Sequence, residues 1–122
     1  MIKGIGIDII ELTRIKKSMQ KSARLVHRIL TNRELEYFNK LTRESRKVEF
    51  LAGRFAAKEA FAKANGTGIG KLSFKDIHVL PNEKGKPELL VKGYESKNLF
   101  ISISHSENYA VAQVIIEETN ET

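Results

Sequence analysis

The sequence predicts an α+β domain, and three features predict it. An apolar, β-branched run opens the chain, helical periodicity with caps fills its middle, and alternating patterns separated by turns occupy the second half. With 122 residues, 41% of them hydrophobic and only two prolines, the chain suits one folded domain with a modest core. No repeat, low-complexity tract or linker divides it.

Residues 2–10 form an apolar run with Gly4 and Gly6, short enough for a buried strand. A basic helical stretch starts at Thr13. Thr31 followed by Glu34 fits a capping box, so a new helix runs from there to about Lys40. Thr42 is a plausible cap for the long central helix, about Arg43 to Ala64, and Asn65-Gly66 supplies its stop. The second half predicts strands at about 73–80, a "PNEKGKP" turn, a weaker strand at 88–92, then 98–104 and 109–117, in a mostly antiparallel sheet. The polar "EETNET" end is expected to fray.

Composition excludes several functions. Without cysteine there are no disulfides, thiolate metal sites or cysteine nucleophiles. "MIKGIGIDII" does not resemble a signal peptide, and no stretch approaches the roughly 20 apolar residues that span a bilayer. A soluble, cytoplasmic protein with no membrane partner is expected. The net charge of +6 is unevenly placed. Between Thr13 and Lys47, eleven lysines and arginines face three glutamates, while the rest of the chain is near neutral. Such a segment is either a solvated helical face or a surface for an anionic partner.

Three polar residues stand in apolar settings. On the long helix Val48, Ala52, Phe55 and Ala62 fall close together, with Glu59 among them. A carboxylate there is partly desolvated and needs a pair or a cation. Lys63, at i+4, offers an intrahelical ion pair. Asp8 interrupts "GIGIDII", where it either caps the following helix or needs a partner of its own. Together the two carboxylates suit a hard divalent cation such as Mg²⁺. His105 ends the strand in "ISISHSENYA", beside Ser104 and Ser106, where it is either a surface residue or a donor to an anion. "GTGIGK" misses the phosphate-loop spacing and follows a helix, so Gly66, Gly68 and Gly70 are taken as a helix stop and a turn.

Taken together, "GIGIDIIEL", "RILTNRE", "FLAGRFAAKEAFAKANGTGIG", "NEKGKP" and "ISISHSENYA" resemble the bacterial holo-[acyl-carrier-protein] synthases, the small AcpS-type 4′-phosphopantetheinyl transferases. Phe55, Lys58, Glu59 and Lys63 match the family's core signature. The resemblance implies one transferase domain over 1–117, with 118–122 as a polar tail. It implies transfer of the phosphopantetheine arm of coenzyme A to a serine of apo acyl carrier protein, releasing adenosine 3′,5′-bisphosphate, in support of fatty acid biosynthesis. Mg²⁺ is the implied metal, with Mn²⁺ a possible substitute, and coenzyme A the co-substrate.

Carried over by position, Asp8 and Glu59 are the implied metal ligands. Glu59, directly or through a bound water, is the candidate for taking the serine proton, and Lys63 for neutralising the diphosphate and the departing phosphate. Arg46, Arg54 and His105 resemble the group around the coenzyme A 3′-phosphate. Gly85, Lys86 and Pro87 match the turn near the adenine. Arg14, Arg24 and Arg28 match carrier-docking positions, with Lys17 and Lys21 as rim charges that speed association. The family also implies a homotrimer with active sites between subunits, with which an exposed Leu89-Leu90-Val91 would agree. Two other readings compete: a basic nucleic-acid-binding module, which leaves Asp8 and Glu59 unexplained, and a carrier-binding protein without activity, against which an intact Asp8/Glu59/Lys63 set argues.

Overall fold

Ten residues of extended chain, β1 (Ile2–Glu11), lead directly into two short helices, α1 (Leu12–Lys21) and α2 (Arg24–Ile29). The basic helical stretch expected from Thr13 is thus two helices, separated at Ser22–Ala23. A third helix, α3 (Asn32–Lys40), precedes the long α4 (Glu44–Asn65), and strands β2 (Ile77–Pro81), β3 (Pro87–Val91), β4 (Lys97–His105) and β5 (Tyr109–Glu118) complete the chain. The computed structural model describes residues 1–69 and 72–119. Gly70 of the glycine-rich turn lies outside them.

Among the described residues all strand pairings are antiparallel, but they form two sheets rather than one: β1-β5-β4, and the hairpin β2-β3. α4 packs across β1 and β5 and forms the centre of the core.

Several local expectations hold for the reasons given. The Thr31–Glu34 capping box is formed, with Glu34 N donating to Thr31 Oγ1 and Thr31 N donating to Glu34 Oε1. Gly66 ends α4 in the left-handed region at φ 80°, which an L side chain resists. Others need correction. Arg43, not Thr42, is the N-cap of α4, and no side chain caps that end. The strand expected from 73 begins only at Ile77. Before it, Ser73 and Asp76 close a capping box around a 3₁₀ turn, Phe74–Asp76. At the C-terminal end, Glu117 and Glu118 continue β5 instead of fraying, and Glu118 Oε1 accepts from Lys97 Nζ at 2.8 Å.

β1 is not buried on both faces. Its alternation turns Gly4, Gly6, Asp8 and Ile10 toward the interior and Ile5, Ile7 and Ile9 outward, the last three about 60% exposed. A Cβ on Gly4 or Gly6 would collide with the carbonyl oxygens of Ala64 and Ala60, so these glycines let the strand press directly against α4. Asp8 is the next inward position after them. It pairs in register with Ala112 in mid-strand, which rules out the capping role.

The central helix is buried on almost every side. From Leu51 to Ala64 only Arg54, Phe55, Glu59 and Lys63 reach the surface at all. Phe55, Glu59 and Lys63 follow one another at four-residue spacing, so they form a single stripe. The expected relation of Glu59 to its surroundings is therefore inverted. Instead of a charge within the buried stripe, it lies on the one side where this helix opens.

Candidate active site

The close approach of β1 to α4 sets the geometry. Asp8 on β1 and Glu59 on α4 are near enough to oppose each other electrostatically. Burial first, and the Asp8 charge second, push the Glu59 carboxyl above the usual glutamate range, against the opposing pull of Lys63 and Arg28. Lys63 does not make the i+4 pair with Glu59. Its Nζ donates to Asp8 Oδ1 at 2.9 Å and to the Ile7 carbonyl at 3.0 Å. The Lys63 side chain is about half exposed while the Asp8 side chain is 15% exposed, so the pair joins the surface to a mostly buried carboxylate.

Beside Glu59 lies a cavity of about 370 Å³, walled by Ile15, Ile29, Phe55 and Phe74, with Arg14 and Arg28 at its polar side. Arg28 places its guanidinium carbon 5.9 Å from the Phe74 ring centroid, and Phe55 stacks on the same ring at 5.7 Å. An adjoining groove carries Lys21, Arg24 and again Arg28. Arg14, Lys21, Arg24 and Arg28 are thereby gathered on one continuous surface that ends at Glu59. Lys17 is exposed on α1.

The expected phosphate group is brought together only in part. Arg46 Nε and His105 Nδ1 both approach Glu49, at 3.6 and 3.8 Å. Arg54 is engaged elsewhere: its Nε donates to the Val79 carbonyl at 3.3 Å, and its guanidinium lies 4.1 Å from the Phe50 ring centroid. Burial lowers the pKa of Arg54, with Glu34 opposing. Gly85, Lys86 and Pro87 sit at the β2–β3 turn, which Asn82 closes by accepting from the Lys84 and Lys86 amides. Gly85 takes a φ of 81° there.

The only charged side chains fully withdrawn from solvent among the described residues are ones that sequence reasoning left without a joint role. Lys58 and Glu34, both 0% exposed, meet at 2.6 Å. Glu49, which joins Arg46 to His105, was likewise missed. The Leu89-Leu90-Val91 expectation also fails: Leu89 and Val91 point into the core and only Leu90 is exposed. The apolar surface lies on the three-stranded sheet, where Ile5, Ile7, Ile9 and Phe100 share the outer face.

A model of the 4′-phosphopantetheinyl transferase superfamily matches residues 4–114. The chain belongs to that superfamily. Holo-[acyl-carrier-protein] synthase of Oceanobacillus iheyensis is 56% identical over 96% of this chain and 98% of the relative. Among solved structures, a holo-(acyl-carrier-protein) synthase of Bacillus anthracis in complex with CoA (3′,5′-ADP) superposes with a TM-score of 0.89 at 52% identity, covering 98% of this chain and 99% of that one. The Helicobacter pylori synthase in complex with coenzyme A gives 0.80 at 34% identity, covering 93% and 99%. This member of the superfamily is accordingly an enzyme, a phosphopantetheinyl transferase of the holo-[acyl-carrier-protein] synthase type. No helix among the described residues is long and apolar enough to cross a membrane.

Proposed function

We propose that the enzyme moves the 4′-phosphopantetheine arm of coenzyme A to a serine of an apo acyl carrier protein, with Mg²⁺ held by Asp8 and Glu59, in the cytoplasm and in support of fatty acid biosynthesis. The observation that carries this reading is Glu59 at the wall of an arginine-lined cavity, with the Asp8–Lys63 ion pair close enough to shift its carboxyl. Two partly desolvated carboxylates facing one another suit a hard cation, and Mg²⁺ is commonly bound by one or two carboxylates, with substrate phosphates and water as its other ligands. When bound, the ion draws negative charge from the diphosphate; Mn²⁺ can do the same with this donor set.

The chain's own residues account for the rest. Arg14, Arg24 and Arg28, with Lys17 and Lys21 at the rim, attract an acidic carrier and orient its serine toward the cavity. Glu59, whose affinity for a proton is raised by burial and by Asp8, takes the proton from the serine hydroxyl. The serine oxygen bonds to the pantetheine-bearing phosphorus as the bond to the adenosine-side phosphate breaks, and adenosine 3′,5′-bisphosphate departs with the bonding pair. Lys63 swings its ammonium from Asp8 to the oxygens that gain charge.

Arg46, Arg54 and His105 are assigned to the 3′-phosphate, and Gly85, Lys86 and Pro87 to the adenine side. Their dispersal within one chain is accounted for by sites completed between subunits. The outward isoleucines of β1 give a homotrimer an apolar surface on which to assemble. The direct test is to incubate the protein with apo carrier, coenzyme A and Mg²⁺ and to weigh the carrier. A gain of one phosphopantetheine mass is expected, and almost none with Glu59→Gln; no gain on a competent carrier would overturn the reading.

A further inference from the structure

The buried pair of Lys58 and Glu34 takes no part in that chemistry, yet Lys58 immediately precedes Glu59 in the chain and bonds to the backbone of two residues of the cavity wall. The Lys58 ammonium directs its three hydrogens to Glu34 Oε1 at 2.6 Å, the Ile29 carbonyl at 2.7 Å and the Phe74 carbonyl at 3.0 Å. Ile29 ends α2, and Phe74 opens the 3₁₀ turn. Both side chains line the cavity beside Glu59. Arg28 is joined to Ile29 through the chain and rests over the Phe74 ring, so both supports of this arginine are fixed by one ammonium.

Glu34 in turn is fixed at the start of its own helix and from one further element, β2, accepting from Thr31 N at 2.8 Å and from Val79 N at 2.7 Å. Five segments therefore meet at one ion pair. α2 needs such a tie, since it has six residues and no side-chain N-cap. Stability alone does not call for charges here, because apolar residues of the same volume often serve as well or better. What the pair adds is directional: three hydrogen bonds at fixed angles.

We propose that Lys58, held by Glu34, is a positioning residue for carrier recognition, setting the Ile29–Phe74 wall and thereby Arg28 against Glu59. The inference rests on the reading of this cavity as the place where the carrier serine arrives. It predicts an effect on the carrier and none on coenzyme A.

The test compares steady-state kinetics of the wild type, Lys58→Met and the double variant Lys58→Met/Glu34→Gln, each normalised to folded protein. The double variant guards against misfolding, because it removes both charges and leaves an amide oxygen for the Thr31 or Val79 N–H. The expected result is a loss of at least about tenfold in kcat/KM for the carrier, with KM for coenzyme A within about twofold of wild type. Unchanged carrier kinetics per folded molecule would overturn the inference and leave the pair purely architectural. Equal losses toward both substrates would also overturn it, as general loosening. If the wild type modifies no carrier, the functional reading fails and this inference with it.

Discussion

Lys58 and Lys63 stand five residues apart on one helix, and each makes an ion pair with a carboxylate from another element. Lys58 is sealed from water with every hydrogen engaged; Lys63 is half exposed, with Asp8 and the Ile7 carbonyl as its partners. Burial lowers the Lys58 pKa, with Glu34 pulling the other way. The difference teaches how one helix serves two ends. A saturated buried pair fixes geometry, because moving it strands a charge. A pair with a half-exposed lysine is more weakly held and freer to exchange partners, which the phosphate-binding role proposed for Lys63 requires.

The comparison can be broken by substituting both lysines with methionine. Lys58→Met leaves Glu34 buried without its counter-charge and should cost about 3–5 kcal/mol of stability in denaturant unfolding, most of it recovered in the double variant with Glu34→Gln. Lys63→Met should cost less than about 1 kcal/mol but lower kcat about a hundredfold. Equal stability losses would erase the distinction.

Oligomeric state probes the other face of β1. Ile7→Lys puts a charge at the centre of the outward isoleucines and should convert the proposed trimer to monomers in light scattering, with loss of turnover if the proposed site between subunits is thereby left incomplete. A smaller effect concerns Glu59. Its folded pKa is raised, so the native state binds more protons than the unfolded chain in the window above the usual glutamate value. Stability therefore falls as pH rises through that window. Glu59→Gln should raise Tm at neutral pH in metal-free buffer by about 2 °C, and the gain should vanish below about pH 4.

Much of this arrangement was legible in the sequence, and the residues explain why. Asp8 and Glu59 stood out because a carboxylate among apolar neighbours is conspicuous one residue at a time. Gly66 and the Thr31–Glu34 box were legible because their physics is local. Lys58 was not: its partner lies 24 positions away, and Glu34 already had a sufficient local role as a cap. The outward isoleucines were hidden differently. Gly4, Gly6 and Asp8 share the inward face, yet a run of apolar letters looks buried throughout until α4 is known to press on the glycines. Glu49 becomes visible only when the end of β4 comes alongside α4.

The claim on which the mechanism turns is that Asp8 and Glu59, from a strand and a helix, make one cation site. Mn²⁺ titration followed by electron paramagnetic resonance, with coenzyme A present, tests it without requiring turnover. One ion per chain is expected for the wild type, and loss of that binding in Asp8→Asn and in Glu59→Gln alike. Binding at wild-type strength in either variant would contradict the account.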